Sequence, residues 1–509
     1  MKIRDFLEHH GILGNPFSEE DAQNDVVFKT ACVGTAFHSA WDKIFGNPAE
    51  PATSIVFGEK GSGKTALRLQ MIEAVNNGAG NRSTGSSRRT GVPLVVDYSD
   101  LNPFIDRFRH RFSPHTPIAK VIAKWELWDH LDAILSLAVT QLIDRILEPG
   151  NPPANSGVSA WNPHQVRDML LLAACYDTSR SENPLYRWKK LARKLRYGNF
   201  RSFFANRRER FLGIGGSLAA GWLAYFFTDS SFAFLLNRWF WIAVVILFLP
   251  LLAKIIKRFW QAWKLKRSLR VLPQTKGKLY KILMCLQKQD FAGMPFPVSG
   301  STDHRYEMLA KLLGVCGQVT GGGHPPAVLS GLIVIMDRVD EPYLINGSPE
   351  LMKLLVWSIF DNKLLKHDRV GLKLLLPDQL LVFIERENSE FHQRARLDKQ
   401  NLIRSLDWTG EALLDLANIR LQACAAEGTN SDMTELFEPA IDRRRLTDAF
   451  AKLKVPRHLF KFLYLLLQKH VNDHTDTEPA WKISAAAFET VLALYLRDRE
   501  AAEKNLGVI

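Results

Sequence analysis

No two of the five cysteines (Cys32, Cys175, Cys285, Cys316 and Cys424) form a C-x-x-C pair, and none has a histidine at metal-ligand spacing. A disulfide scaffold and a structural zinc site are thereby disfavoured, and reduced thiols in a cytosol-like compartment are expected. Residues 1–10 lack the apolar run of a cleavable signal peptide. Acidic residues are scarce in two stretches. Residues 187–210 hold ten Lys or Arg against one acid, Glu209, and residues 254–270 hold seven against none. Of the formal net charge of +13, these stretches supply +16 and the rest of the chain −3. The broad basic footprint of a nucleic-acid motor is missing, and no direct nucleic-acid binding is expected.

Between the two basic stretches, charge itself is absent. Phe211 to Phe227 and Trp239 to Ala253 carry none, and the connector Thr228 to Arg238 holds only Asp229 and Arg238. A bilayer core asks for about 20 apolar helical residues, with roughly 17 as the lower limit. Trp222, Tyr225, Trp239, Trp241 and Trp260 lie near the ends of the runs, as interfacial belts require. A buried helical hairpin in a soluble core would account for the apolarity but not for basic flanks on both outer ends. A transmembrane hairpin over 211–253 is therefore expected, with helices at about 211–227 and 239–256. Both chain ends would be cytoplasmic at the inner membrane, and the basic flanks would face anionic lipid.

Upstream stands Gly58-Glu59-Lys60-Gly61-Ser62-Gly63-Lys64-Thr65, with the spacing G-x-x-x-x-G-K-[ST]. Ser54 to Phe57 before it reads as a buried strand, and Ala66 to Ala74 after it as a helix. Glycines let a backbone wrap closely around phosphates, whose charge suits the amides of a helix N-terminus. Lys64 would reach the β- and γ-phosphates of ATP, and the Thr65 hydroxyl would join a Mg²⁺ shell.

Such a site needs a carboxylate facing the loop. Leu332-Ile333-Val334-Ile335-Met336 is the strongest buried-strand signal in the chain and ends in Asp337, the candidate Mg²⁺ ligand. Asp340 or Glu341 would orient and deprotonate an attacking water. Further strands are expected at Pro93–Tyr98 and Val370–Leu376, and helices at 117–147, 164–176 and 349–365. Strands alternating with helices imply a parallel α/β sheet. Because Thr65 and Asp337 lie on opposite sides of the hairpin, both sides must share one compartment, and two crossings satisfy this. The expected layout is an N-terminal arm (1–50), the first half of the sheet domain (51–186), the hairpin with its flanks (187–270), the second half (271–408) and an all-α lid (409–509).

Other conspicuous residues have plainer readings. His9, His10 and His324 lack ligand partners, Gly321–Gly323 lacks a following Lys-Ser/Thr, and Asp97 and Asp100 are placed to cap turns. Arg386, Arg394, Arg396 and Arg404 are candidate arginine fingers, although solvated surface suits each. A transporter ATPase is disfavoured, because Leu329-Ser330-Gly331 abuts the strand and cannot open a helix.

A P-loop domain with a hairpin inserted between its two nucleotide motifs resembles the KAP family of P-loop NTPases, relatives of the STAND ATPases, over residues 11–475. The resemblance rests on Gly58–Thr65, the hairpin 211–253 and Asp337-Arg338-Val339-Asp340-Glu341. It implies an ATP-dependent switch or assembly platform in membrane signalling or phage defence, oligomers that complete the site in trans, and a nucleotide-sensing arginine at Pro456-Arg457. Two departures stand out. Arg338 occupies a position where a second Asp is common, and Pro377-Asp378 ends a strand where Asn, Ser or Thr is commoner. A non-hydrolysing nucleotide-binding scaffold is the alternative.

Overall fold

The computed structural model describes residues 1–80, 92–148, 161–179, 182–197, 269–272, 276–283, 296–297, 300–317, 329–395, 400–429 and 431–506, with positions 260, 263–264, 267 and 397. The hairpin at 211–253 lies outside the described residues, as do His324 and Gly321–Gly323. Among the described residues, no helix is long and apolar enough to cross a membrane.

The chain divides into two compact units. The first comprises Met1–Pro103, His115–Trp125 and Ser330–Ile509. Its centre is a five-stranded sheet of β1 (Ser54–Gly58), β2 (Val92–Asp97), β3 (Leu329–Met336), β4 (Val370–Pro377) and β5 (Asn401–Ile403), in the order β2-β3-β4-β1-β5. The pairs β3–β4, β4–β1 and β1–β5 are parallel. Central strands of such a sheet are covered on both faces, which explains their continuous apolar runs. Ile55, Val56, Phe57, Leu374, Leu375 and Leu376 are all fully buried.

Lys373 interrupts the apolar run of β4 and is itself buried. Its ammonium donates to the carbonyls of Ile44 and Phe45 at 2.6 and 3.0 Å, and so caps the short helix Trp41–Phe45. Burial pushes its pKa down to about 8.

The C-terminal helices Gly410–Cys424, Arg443–Ala451, Pro456–Asp473 and Ala485–Leu506 lie within residues 409–509. They share one apolar core with the N-terminal arm, where Phe6, Leu7, Phe17 and Phe28 pack among Leu413, Leu463 and Phe488. The arm is held by Arg420, whose Nη1 lies 2.5 Å from Asp25 Oδ2 and whose Nε donates to Pro16 O at 2.7 Å. The Arg420 guanidinium also stacks 4.4 Å from the Phe460 ring.

The second unit, Phe104–Pro114 and Glu126–Leu329, is built of helices, among them Leu127–Leu147, Pro163–Tyr176, Pro184–Lys194 and Thr302–Gly317. The helical pattern expected from 117 to 147 breaks between Ile122 and Leu127, where Glu126 N donates to Asp129 Oδ2 at 3.2 Å at the start of the second helix. Asp132 is buried and accepts from Tyr176 Oη (3.1 Å), Arg305 Nε (3.2 Å) and Leu272 N (3.0 Å). Arg187 pairs with Asp177 and Asp144, each at 2.7 Å. Segments on both sides of residues 198–259 are thus anchored within the same unit by buried charge pairs.

Candidate functional site

Ligands of open parallel sheets bind beyond the carboxyl ends of the strands. In the first unit a cleft of about 350 Å³ lies there, lined by the loop after β1, the ends of β3 and β4, the N-terminal arm and the start of the helix Pro456–Asp473. β1 ends at Gly58, paired with Pro377 of β4, and the helix Lys64–Gly80 begins five residues beyond the intervening turn's start at Glu59. Gly61 (φ +95°) and Gly63 (φ +99°) make that turn in the left-handed region. At Gly61 a side chain is also excluded by space, since a Cβ would stand 2.4 Å from Arg457 Cβ.

The loop is gripped from within and from outside. Lys64 Nζ donates to Gly58 O at 2.6 Å and Glu59 O at 2.8 Å. Burial lowers the Lys64 pKa, opposed by the charges of Asp337, Asp340 and Asp378. Trp408 Nε1 donates to Ser62 O at 3.0 Å, and Arg457 N donates to Gly61 O at 3.3 Å. Ser62 Oγ is buried with no hydrogen-bond partner. Arg457 Nε lies 3.5 Å from Glu20 Oε2 on the arm, which is also 3.5 Å from Lys461.

Because β4 lies between β1 and β3, the strands carrying the loop and the acid are about 9.6 Å apart, two strand spacings. The first turn of the helix Lys64–Gly80 closes that gap, with Thr65 Oγ1 donating to Asp337 Oδ2 at 3.0 Å. Burial raises the Asp337 pKa, while Arg68, the Thr65 hydroxyl, the Arg338 amide and Lys64 act to lower it. Arg68 Nε lies 3.6 Å from Asp337 Oδ2, and its Nη1 reaches Asp97 Oδ2 at 3.1 Å and the Ser99 hydroxyl. Asp97 therefore serves a buried arginine as well as its own turn, where it accepts from Ser99 N.

Beyond Asp337 the backbone turns, with Glu341 N donating to Arg338 O at 3.2 Å. Asp340 and Glu341 both border the cleft. Glu341 is more than half exposed and stands 3.4 Å from Arg338 Nη1. Burial raises its pKa and Arg338 opposes the rise. Asp378, at the end of β4, accepts from Gln379 N at 2.9 Å and also lines the cleft.

The structure thus brings together Gly58, Lys60, Gly61, Ser62, Gly63, Lys64, Thr65, Asp337, Asp340, Glu341 and Arg457 of the residues singled out by pattern. Glu59 joins them through its carbonyl. Arg404 instead pairs with Glu385 at 2.8 Å on an exposed face, and Arg394 lies 5.6 Å from the Phe391 ring. His9 stacks on Trp481 and His10 Nε2 meets Trp481 O at 2.7 Å. Among the described residues, no cluster of His, Cys, Asp or Glu is arranged to hold a metal by itself.

Arg68, Trp408, Glu20 and Asp21 border this site without having been marked by pattern. Arg68 carried one available signal, three residues past Thr65 and hence on the same helix face. The cleft has two characters. Its polar end could cradle a phosphate chain through loop amides and Lys64, with the Thr65 hydroxyl and Asp337 supplying hard oxygen ligands for Mg²⁺. Its other wall, formed by Phe28, Ala36, Leu416 and Phe460, offers a flat aromatic ring or base an apolar surface. No family model, curated protein or solved structure matches the chain.

Proposed function

We propose that this protein binds ATP with Mg²⁺ in the cleft at Gly58–Thr65 and hydrolyses it as a nucleotide-dependent switch or assembly platform anchored in a membrane. The observation that carries the reading is the 3.0 Å contact between Thr65 Oγ1 and Asp337 Oδ2 at the end of a glycine turn. A hydroxyl and a carboxylate meeting there suit a divalent cation bridging phosphates, and the half-buried ammonium of Lys64 suits the phosphates themselves. Mg²⁺ would neutralise phosphate charge. Lys64 would hold the phosphate chain, Arg457 would read nucleotide state from the lid, and Asp340 or Glu341 would orient water.

Membrane anchoring rests on the uncharged runs within 211–253 and their basic flanks. Homo-oligomers, in which an arginine of a second copy completes the site, are part of the same reading.

A non-hydrolysing scaffold is the second reading, favoured by the Arg338–Glu341 ion pair, which engages one candidate base. Phosphate release from detergent-purified protein separates the two. Hydrolysis that is lost in Lys64→Ala and falls at least about a hundredfold in Glu341→Gln or Asp340→Asn supports the enzyme. Tight ATP binding, with background release that neither carboxylate substitution changes, supports the scaffold. Fractionation of a tagged chain into the soluble pool would sink the membrane part of the proposal.

A further inference from the structure

Arg338 has φ +57°, a left-handed conformation that glycine adopts freely and a residue with a side chain rarely does. Strain of this kind gathers at functional positions, where the side chain is worth its conformational cost. The guanidinium lies at the wall of the cleft shared with Lys64, Thr65 and Asp337. It is loosely held there. Nη2 is 3.4 Å from Asp21 Oδ1 on the arm, Nη1 is 3.4 Å from Glu341 Oε2, and Nε is buried with no hydrogen-bond partner. Charge-assisted pairs at their best close to about 2.7–2.9 Å, so neither carboxylate has drawn this cation fully in.

We propose that Arg338 is a second cationic contact, beside Lys64, for the terminal phosphate of a nucleoside triphosphate, and that Asp21 and Glu341 compete with that phosphate for it. The proposal rests on the nucleotide reading above and names the residue that distinguishes triphosphate from diphosphate. A γ-phosphate carries more charge than one carboxylate and presents the oxygen pair that a guanidinium fork engages. A diphosphate ends short of that position. Movement of Arg338 onto phosphate leaves Glu341 unpaired and lets go of Asp21. The neighbouring Glu20 holds Arg457 and Lys461, so residues 20–21 respond to the terminal phosphate at both walls of the cleft.

Titration calorimetry of the full chain in detergent, with Mg²⁺ and either ADP or a non-hydrolysable ATP analogue, tests this. Arg338→Gly suits the backbone, so its melting temperature should not fall below wild type. Its affinity for the analogue should drop about tenfold, as loss of one charged hydrogen-bonding contact predicts, while ADP affinity stays within about twofold. Asp21→Asn should tighten analogue binding several-fold and leave ADP alone. An unchanged preference between analogue and ADP in Arg338→Gly overturns the proposal, and unchanged analogue affinity in Asp21→Asn overturns the competition. A wild-type chain that binds neither nucleotide overturns the reading of the loop itself. Lys64→Ala separates these failures, because it weakens both nucleotides wherever that reading holds.

Discussion

Thr65 Oγ1 and Asp337 Oδ2 meet at 3.0 Å across 272 residues of chain. The carboxyl is held in a buried position where proton uptake is easier than in water. Folding therefore favours the protonated acid. The stability it contributes is complete below the ordinary aspartate pKa and is lost as pH rises through the elevated folded value. Asp337→Asn, measured by thermal unfolding at pH 7.5 without divalent metal, should melt at a higher temperature than wild type. The difference should fade on acidification below about pH 4, where both side chains are uncharged. On the proposed nucleotide reading, ATP with Mg²⁺ should invert the order, since binding would stabilise wild type and the variant would lack the proposed Mg²⁺ ligand.

Gly61 and Gly63 share a backbone conformation but not a neighbourhood. A Cβ at Gly61 would stand 2.4 Å from Arg457 Cβ, whereas at Gly63 the nearest atom is 3.8 Å away on the Trp408 ring. Gly63→Ala should cost only the conformational strain, about 1–2 kcal/mol. Gly61→Ala adds overpacking and should cost about 1–3 kcal/mol more, because the start of the helix Pro456–Asp473 must move. Chemical denaturation gives the difference, and equal costs would show that Arg457 does not rest on the loop.

Arg420 joins the arm to the C-terminal helices. Arg420→Ala strands the buried Asp25 carboxylate and should destabilise by about 3–5 kcal/mol. The double replacement Asp25→Asn with Arg420→Met should recover most of that loss. Limited proteolysis between residues 13 and 36 should accelerate in the single variant and return toward wild type in the double. A single variant as resistant as wild type would show that the arm is retained by its apolar contacts alone.

The central strands were legible because burial on both faces leaves an uninterrupted apolar run, and β1, β3 and β4 fall where those runs lie. β5 was not legible. Three half-buried residues, Asn401 to Ile403, carry neither a run nor an alternation. The loop and Asp337 were found by spacing and context, which are local properties. Trp408, Glu20 and Asp21 act through tertiary contacts with the loop and its surroundings that nothing in their immediate neighbours records, and Arg68 offers only its spacing from Thr65. In the sequence Arg338 stands out only as a departure from a familiar motif. Its left-handed backbone and its position between two carboxylates give that departure a physical meaning. The 117–147 segment reads as one helix because its apolar spacing hardly falters, while the break before Leu127 is marked only by a hydrogen bond from Glu126 N to Asp129 Oδ2.

The sheet order also dictates a calendar for synthesis. β1 pairs with β4 and β5 alone, and the hydrogen bond from Leu372 N to Thr53 Oγ1 beside it spans 319 residues. At a translation rate of about 5–20 residues per second, an apolar strand already at the ribosome exit waits on the order of tens of seconds for its first partner. The neighbouring helices can pack on that strand early, but its sheet partners come late, so the first unit is a late-closing structure of high contact order. The helical second unit, by contrast, draws its described elements from a continuous middle stretch apart from residues 104–114, and can begin to pack while β4 has yet to be made.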